Sequence, residues 1–491
     1  MNKFILALLL MTLPAGAQQT ITCTATPAAS VTCTVTPAAV VTPPIVVPPA
    51  SGTALTACGD LLKSGTFYLT SDVSSTGTCF FVDASGITLN LNGHTITYAT
   101  ATNAKPTPGI VLADPWYAAL AKSGTTSTHG GFVIYGGSIV EGAAGATGSS
   151  GIHVGQSSGL SPAPVVHDLT ITTTSADASP IKGDISLSGW QIYANKLSYT
   201  SKVTSSRQQM LGYAIWLANQ EQAPGLVPDT ITGNSILSAP QGGIRDTHQN
   251  ATIHGNDITF NSYYTNDFCI DSPADGQVID QNICHPISGR GLHANANNVT
   301  LSNNAITVQE LSQNAEYGGC ELGGAYGIQV EFDNSFTAAS PTGIKLLSNS
   351  IIAIAGNCPA VGMRFTSLTT PVTATANIVT STSIGTALDY GVQFSGVNLP
   401  GIAMLFTGNS FKSKHALVSS DWDGANVSIS AGNIWGTAVY TVDLQNGYKD
   451  PAEGGPTFPQ SMTLGDPAAG TLACGTYASS AVSIGGVVLK C

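Results

Sequence analysis

The sequence predicts an all-β protein whose chain coils into a parallel β-helix, a solenoid of stacked turns. Three observations support this fold class: a recurring asparagine, strand-like segments around each copy, and no helical pattern between those segments. An aliphatic or aromatic residue follows each asparagine within one or two positions. The recurring residues are Asn234, Asn256, Asn282, Asn304, Asn349, Asn377, Asn409 and Asn433.

The spacing of these asparagines indicates the length of one turn. Successive copies lie 22, 26, 22, 45, 28, 32 and 24 residues apart. Repeats of about 20 to 30 residues are typical of units that cannot bury an apolar face alone and must stack on their neighbours. We expect the 45-residue interval to contain two turns. Length alone suggests about three domains, but the repeat predicts one elongated body.

Short runs rich in Val, Ile and Thr surround the asparagines and predict β-strands. Examples are residues 251–258, 299–306 and 344–351. No apolar stripe at helical spacing lies between them, so turns alone must connect the strands. Asparagine suits such turns because it tolerates left-handed backbone angles and because stacked copies can pass hydrogen bonds from turn to turn.

The N-terminal residues predict export and a linker. Residues 1–17 combine Lys3, an apolar run and the small residues Ala15 and Ala17, as in a secretory signal peptide. The run is too short to span a bilayer, so we expect a secreted or periplasmic protein with no membrane span. Residues 18–56 form a Thr/Pro/Ala-rich linker, residues 57–436 the β-helix, and residues 437–491 a C-terminal capping segment.

The ten cysteines agree with an oxidising compartment. Sequence alone does not fix their connectivity, and some thiols could instead be free and buried. Pairing of neighbours gives Cys23 with Cys33, Cys58 with Cys79, Cys269 with Cys284, Cys320 with Cys358, and Cys474 with Cys491.

Charge excludes one class of partner. The net charge of −12 and the pI of about 5.0 leave no basic cluster to neutralise phosphates, which argues against nucleic acid and anionic membranes. Only 9% of residues are charged, so the surface consists largely of Ser, Thr, Asn and Gly. We expect a monomer whose partner is a polysaccharide or another glycan.

Residues 87–96, Ile-Thr-Leu-Asn-Leu-Asn-Gly-His-Thr-Ile, precede many Gly-Asn-x-Ile and Gly-aliphatic-x-aliphatic units. This pattern resembles the right-handed parallel β-helix proteins of the pectin-lyase-like superfamily, over residues 58–436, without indicating a subfamily. The resemblance implies a single-stranded right-handed β-helix between an N-terminal cap and a C-terminal capping segment. It implies no single activity, because the superfamily includes polysaccharide lyases, glycoside hydrolases, epimerases and adhesins.

Aligning the Gly-aliphatic-x-aliphatic strands predicts a column of outward side chains, because alternate residues of a strand face opposite sides. Neighbours in the column would lie about 4.8 Å apart. Aliphatic residues one position earlier would point inward. The outward residues are Trp216, Arg245, Asp271, His293, Gln329, Arg364 and Gln393.

These residue types suit chemistry on a sugar polymer. His293 and Asp271 can transfer protons, and Arg245 can pair with a sugar carboxylate. We therefore assign Arg245, Asp271 and His293 as candidate catalytic residues and commit to no metal ligand. The candidate substrate-binding residues are Trp216, Gln329, Arg364, Tyr263 and Tyr264.

Simpler explanations stand beside this assignment. Outward columns are often polar only because they are solvated, and neighbouring Arg, Asp and His side chains form ordinary cross-strand pairs. Asp246 could cap a turn, and His254 is expected to be structural. Ca²⁺ is the one cofactor candidate. Pectate-lyase-like calcium sites need several converging carboxylates, which Asp267, Asp271 and Asp275 could supply, although such aspartates more often cap turns.

The residues leave open whether the protein is an enzyme. The Asn-Thr-Asp, Gly-His-Gly and Arg-Ile-Lys motifs of polygalacturonase-like hydrolases are missing from the sequence. The prediction is an exported β-helix protein that binds, and as a lyase or glycoside hydrolase would cleave, polysaccharide on an outward ladder centred on residues 216–293. The alternative is a non-catalytic extracellular or cell-surface solenoid that binds glycan or protein. Walls formed by residues 197–212, 260–268 and 310–325 would favour catalysis, because they would create a cleft.

Overall fold

A computed structural model describes most of the chain, and every regular element in the described residues is a β-strand. No helix in this part of the chain has the length and apolar character needed to cross a membrane. The described residues are 20–25, 31–36, 52–103, 105–112, 130–142, 148–155, 163–175, 178–183, 189–200, 212–218, 227–239, 242–261, 268–287, 289–310, 324–331, 341–366, 368, 370–384, 389–395, 402–420, 426–435, 440–444, 461–464, 471–474, 481–484 and 487–490.

In the part of the chain that the structure describes, sheet 1 contains fifteen strands, each parallel to the next. In spatial order, which is also chain order, they are Gly59–Leu61, Phe80–Val82, Ile110–Leu112, Ile152–Val154, Ile181–Gly183, Tyr213–Leu217, Gly242–Asp246, Phe268–Ser272, Arg290–Ala294, Ala325–Glu331, Ala360–Thr366, Asp389–Ser395, His415–Ser420, Tyr440–Leu444 and Thr471–Cys474.

Sheet 2 receives the chain after each sheet 1 strand, and its pairings are parallel except the last. Its strands are Thr53–Leu55, Gly65–Leu69, Ile87–Asn90, Val133–Glu141, Val165–Thr173, Gln191–Tyr193, Thr230–Thr232, Thr252–His254, Val278–Asp280, Thr300–Ser302, Lys345–Leu347, Thr373–Thr375, Ile402–Thr407, Asn426–Ile429, Ser461–Leu464, Ala481–Ile484 and Val487–Lys490.

Sheet 3 follows sheet 2 in each turn and shares with it the long strands Val133–Glu141 and Val165–Thr173. Its other strands are Val73–Ser74, Thr95–Tyr98, Lys196–Tyr199, Ser235–Ile236, Asp257–Asn261, Ile283–Ile287, Ala305–Glu310, Ser350–Ala355, Ile378–Ser383 and Ser410–Lys412. One residue from each sheet illustrates the core: Ile244, Ile253 and Ile258 of a single turn are all fully buried. Three long parallel sheets around an apolar interior are consistent with the predicted β-solenoid.

Buried asparagines stack between sheets 2 and 3, as the sequence predicts. The side-chain Nδ2 of each donates to Oδ1 of the asparagine on the next turn at 2.8 to 3.1 Å. The backbone N–H of each donates to the same oxygen. Asn195 begins the series one turn before Asn234, the first copy recognised in the sequence.

Two details of the asparagine prediction are wrong. The left-handed backbone angle belongs to the residue before the asparagine, as at Gly255 (φ 63°) and Gln281 (φ 55°), so the asparagine serves through its hydrogen bonds. The 45-residue interval is one turn, because Asn304 Nδ2 donates directly to Asn349 Oδ1. Its extra residues lie in the connections on either side of Ala325–Glu331.

Strand pairing is present on both sides of residues 57–436, the range predicted for the β-helix. Thr53–Leu55 pairs with Gly65–Leu69, so sheet 2 begins within the segment predicted as linker. Parallel pairing also continues past residue 436, and an antiparallel pair, Ala481–Ile484 with Val487–Lys490, ends sheet 2. Residues 1–49 form a separate unit in which Thr20–Ala25 and Val31–Thr36 pair antiparallel, despite the prolines that suggest a linker.

Two predicted disulfides are confirmed, Cys58–Cys79 and Cys269–Cys284. Cys358 is also disulfide-bonded, and its predicted partner Cys320 lies outside the described residues. The side chains of the Cys23–Cys33 and Cys474–Cys491 pairs lie outside them too. Disulfides of this kind are typical of proteins from oxidising compartments.

Candidate functional site

The outward column forms on sheet 1 in the predicted register. Each member is the direct Cα partner of the next, from Trp216 through Arg245, Asp271, His293 and on to the last three residues, Gln329, Arg364 and Gln393. The residues before them in sequence are fully buried in the core: Ile215, Ile244, Ile270, Leu292, Ile328, Met363 and Val392.

Glycines lie two residues before five of the seven column members and allow the strands to pack closely. A Cβ on Gly291 would lie 2.0 Å from the carbonyl oxygen of Gly327, and one on Gly327 would lie 2.2 Å from Ile351 Cγ2. Larger side chains would push sheet 1 away from its neighbours. The Gly-aliphatic motif therefore positions the column by holding each strand against the next.

Arg245, Asp271 and His293 form a continuous ion-paired group. An Arg245 guanidinium nitrogen lies 3.0 Å from Asp271 Oδ2, and Asp271 Oδ1 lies 2.8 Å from His293 Nδ1. The side chains of Asp271 and His293 are only 6% and 9% exposed. Burial by itself would raise the pKa of Asp271, but the His293 hydrogen bond and the Arg245 charge outweigh it and lower that pKa.

A second outward row, absent from the sequence prediction, packs beside this group. The Phe268 ring stacks on the His293 ring at a centroid distance of 4.3 Å. The Arg290 guanidinium lies between Phe268, at 5.5 Å, and Tyr326, at 4.8 Å. The alternation of side chains along a strand does not predict that Phe268 faces outward. The two residues after it, Cys269 and Ile270, are both buried in the core, so the alternation is broken between them and Phe268 lies on the outer side.

Glu331 completes the polar network. Arg290 donates to Gln329 Oε1 at 2.8 Å, and Gln329 Nε2 donates to Glu331 Oε2. The same Glu331 oxygen lies 3.7 Å from His293 Nε2. His293 is therefore held between two carboxylates, those of Asp271 and Glu331. The sequence contains a signal for Glu331, since it follows Gln329 by two residues and so faces the same side of the strand.

The predicted substrate-binding residues Trp216 and Arg364 lie on the outward column on either side of the ion-paired group. Lys182 Nζ lies 5.3 Å from the centroid of the half-buried Trp216 ring. The Arg364 guanidinium lies 4.9 Å from the Tyr326 ring. Tyr263 and Tyr264 lie outside the described residues, as do most of the three segments expected to form walls.

The group around His293 is accessible to solvent at its edges and buried at its centre. Arg245 and Glu331 are 25% and 32% exposed, whereas His293 Nε2 is buried and makes no hydrogen bond within the described residues. A hydrogen bond from Nδ1 to Asp271 leaves Nε2 as the atom that can accept a proton. The group thus has the components for proton transfer, with Glu331 as its most exposed carboxylate.

A second ionisable cluster lies in the interior, beside the strand that carries Arg245. Asp246 Oδ1 accepts the backbone N–H of His248 at 2.9 Å, which confirms the predicted turn cap. His248 Nδ1 lies 2.9 Å from both Asp246 Oδ1 and Asp229 Oδ2, and all three side chains are buried. Burial and the charge of Asp246 raise the pKa of Asp229 to about 6.

The residues considered for calcium have other partners. Asp271 pairs with Arg245 and His293, and the Asp275 carboxylate accepts hydrogen bonds from Asn297. Asp267 lies outside the described residues. His254 lies on sheet 2, where its Nδ1 is 3.1 Å from Asp280, away from the outward column.

No protein-family model matches the chain, and no curated protein matches it.

Proposed function

We propose that this chain is an exported polysaccharide-cleaving protein whose substrate lies along the outward column of sheet 1. The observation that carries the proposal is the buried Asp271–His293 pair, held by Arg245 on one side and approached by Glu331 on the other. Proton transfer needs a base oriented by a second group, and Asp271 orients His293 in this way. The column residues Trp216, Gln329 and Arg364 would bind the polymer on either side.

The proposed chemistry assigns each group one role. Glu331 contacts substrate and exchanges a proton with it, His293 Nε2 exchanges that proton with Glu331, and Asp271 stabilises the imidazolium. Arg245 keeps Asp271 ionised and presents an exposed edge to an acidic sugar. Such an arrangement fits lyase chemistry: a base removes a proton from the carbon next to a carboxylate, the glycosidic carbon–oxygen bond breaks, and the leaving oxygen takes the proton back from the base. Hydrolysis needs two carboxyl groups that face the substrate, so a hydrolase would have to use Asp271 together with Glu331.

The proposal includes the finer structural expectations. We infer a single-stranded, right-handed β-helix of the pectin-lyase-like kind, acting as a monomer outside the cytoplasm. The parallel sheets, the asparagine stack and the disulfides support this inference.

The test is to incubate the purified protein with a panel of neutral and acidic polysaccharides. Ultraviolet absorbance would report unsaturated uronate products of a lyase, and reducing ends would report either reaction. We expect His293→Ala to lower the rate at least about 100-fold, the usual contribution of an acid–base residue. His254→Ala is the matched control, because it removes an imidazole that also contacts a carboxylate, Asp280, on another sheet.

Unchanged activity in both His293→Ala and Arg245→Ala would exclude the outward column as the active site. The second candidate function is non-catalytic binding of glycan or protein on the outward column. The burial of His293 Nε2 favours it, because a buried nitrogen does not contact a ligand directly. That function predicts no product from any polysaccharide, together with binding that weakens in Trp216→Ala and Arg364→Ala. Binding unaffected by these two substitutions would exclude it.

A further inference from the structure

The interior cluster of Asp229, Asp246 and His248 lies where the chain leaves sheet 1 and enters sheet 2. Asp246 ends the strand Gly242–Asp246, and Asp229 directly precedes the strand Thr230–Thr232. The exposed fractions are 0% for both aspartates and 2% for the histidine. One ligand atom from each residue lies within 4.8 Å of the other two. The proposed polysaccharide reaction uses none of these side chains.

Hydrogen bonding among the described residues does not satisfy the cluster. His248 Nδ1 has one position for a proton, yet two carboxylate oxygens approach it at 2.9 Å. Its hydrogen bond is to Asp246 Oδ1, so Asp229 Oδ2 is directed at the same nitrogen and has no hydrogen bond within the described residues. A buried carboxylate oxygen left without a donor is costly, and such atoms call for a ligand or ion.

The surrounding backbone holds these groups in place. Asp229 Oδ1 accepts hydrogen bonds from the backbone N–H groups of Gly189 and Trp190, which fixes Oδ2 toward the cluster. Gln277 Nε2 donates to the carbonyl oxygens of Asp246 and His248 at 2.7 and 2.9 Å. Supporting contacts of this kind orient the ligands of metal sites.

Charge points to a divalent cation. Asp229 and Asp246 place two carboxyl groups in a region closed to solvent, where uncompensated negative charge is expensive. A divalent cation between them would offset that charge and would supply the missing partner of Asp229 Oδ2.

We propose that Asp229, Asp246 and His248 bind one zinc-class divalent ion through Asp229 Oδ2, Asp246 Oδ1 and His248 Nδ1. The mixed nitrogen and oxygen set favours such an ion over calcium, which takes six to eight oxygen ligands. The ion joins the end of a sheet 1 strand to the start of a sheet 2 strand in the preceding turn. Its role is to stabilise this corner of the solenoid, and it takes no direct part in the reaction proposed at the outward column.

The test measures zinc bound to the full chain, prepared without a histidine tag. The protein is stripped with EDTA, reloaded with Zn²⁺, dialysed and analysed by elemental mass spectrometry. We expect one zinc per chain, and a melting temperature raised by about 3 °C when free zinc exceeds its Kd about 100-fold. Ca²⁺ and Mg²⁺ at the same concentration should leave the melting temperature unchanged.

Variants then locate the ion. His248→Gln and Asp229→Asn should each lose the bound zinc and the zinc-dependent rise in melting temperature. His254→Gln, which changes a histidine beside Asp280 on sheet 2, should keep both. The proposal is overturned by wild-type protein that retains no zinc, by variants that retain as much as wild type, or by equal stabilisation with Ca²⁺. The wild-type measurement decides even if a variant does not fold.

Discussion

Replacing Asn282 with alanine tests whether the asparagine stack stabilises the solenoid. The Asn282 side chain is fully buried. Its Oδ1 accepts from the backbone N–H and Nδ2 of Asn256, both at 2.9 Å. Its Nδ2 donates to the Ile253 carbonyl at 2.8 Å, and to the Asp280 carbonyl and Asn304 Oδ1 at 3.1 Å. Since Nδ2 carries two hydrogens, these contacts amount to about four full hydrogen bonds.

The size of the effect follows from this network. Each lost hydrogen bond costs about 1 kcal/mol net, so the substitution should lower the free energy of unfolding by about 4 kcal/mol. Water cannot replace the lost partners, because the position is closed to solvent. The unfolding entropy of the unit Ala50–Cys491 is about 0.9 kcal/mol per kelvin by the usual value per residue, so we expect the melting temperature to fall by about 4 °C.

Differential scanning calorimetry measures this shift, with Thr230→Ala as the control. Thr230 faces solvent on sheet 2, and its substitution should change the free energy of unfolding by less than about 0.5 kcal/mol. A fall below about 1 °C for Asn282→Ala, or an equal fall for the control, would show that the stack contributes little. In that case the backbone amide of Asn256 should exchange its hydrogen no faster in Asn282→Ala than in the wild type.

Three further predictions concern single contacts. The folded-state pKa of Asp271 lies below its ordinary value of about 3.9, so the ionised carboxylate stabilises the fold at higher pH. This stabilisation is lost as the pH falls through the folded-state pKa. Asp271→Asn should therefore flatten the acid side of a plot of melting temperature against pH. Gly327→Ala should lower the free energy of unfolding by about 2 kcal/mol in denaturant titration, since its Cβ would lie 2.2 Å from Ile351 Cγ2; no loss would mean that sheet 1 shifts freely. Replacing Cys58 and Cys79 with serine should cost about 3 kcal/mol in the same assay, and an unchanged midpoint would contradict a stabilising role for the disulfide.

Much of the fold follows from local patterns in the sequence. The Gly-aliphatic motif and strand alternation predict the register that makes Arg245, Asp271 and His293 neighbours. Alternation fails at Phe268, because two successive residues after it enter the core at a bend. The repeat spacing does not predict the contact between Asp229 and His248. These residues lie outside the repeated motif, and they become neighbours only when one turn of the chain stacks on the next.

The outward column and the interior cluster share one strand. Arg245 faces outward and Asp246 is buried, so consecutive residues belong to the two proposed sites. An ion on Asp246 would fix the end of the strand that presents Arg245 to Asp271, whereas His293 lies two strands further along sheet 1. Zinc removal should therefore disturb the Arg245 edge of the column before it disturbs the Asp271–His293 pair. If the ion acts only through the position of Arg245, its removal should change substrate affinity and leave the rate at saturating substrate unchanged. If the ion takes part in the reaction, its removal should lower the rate at saturating substrate.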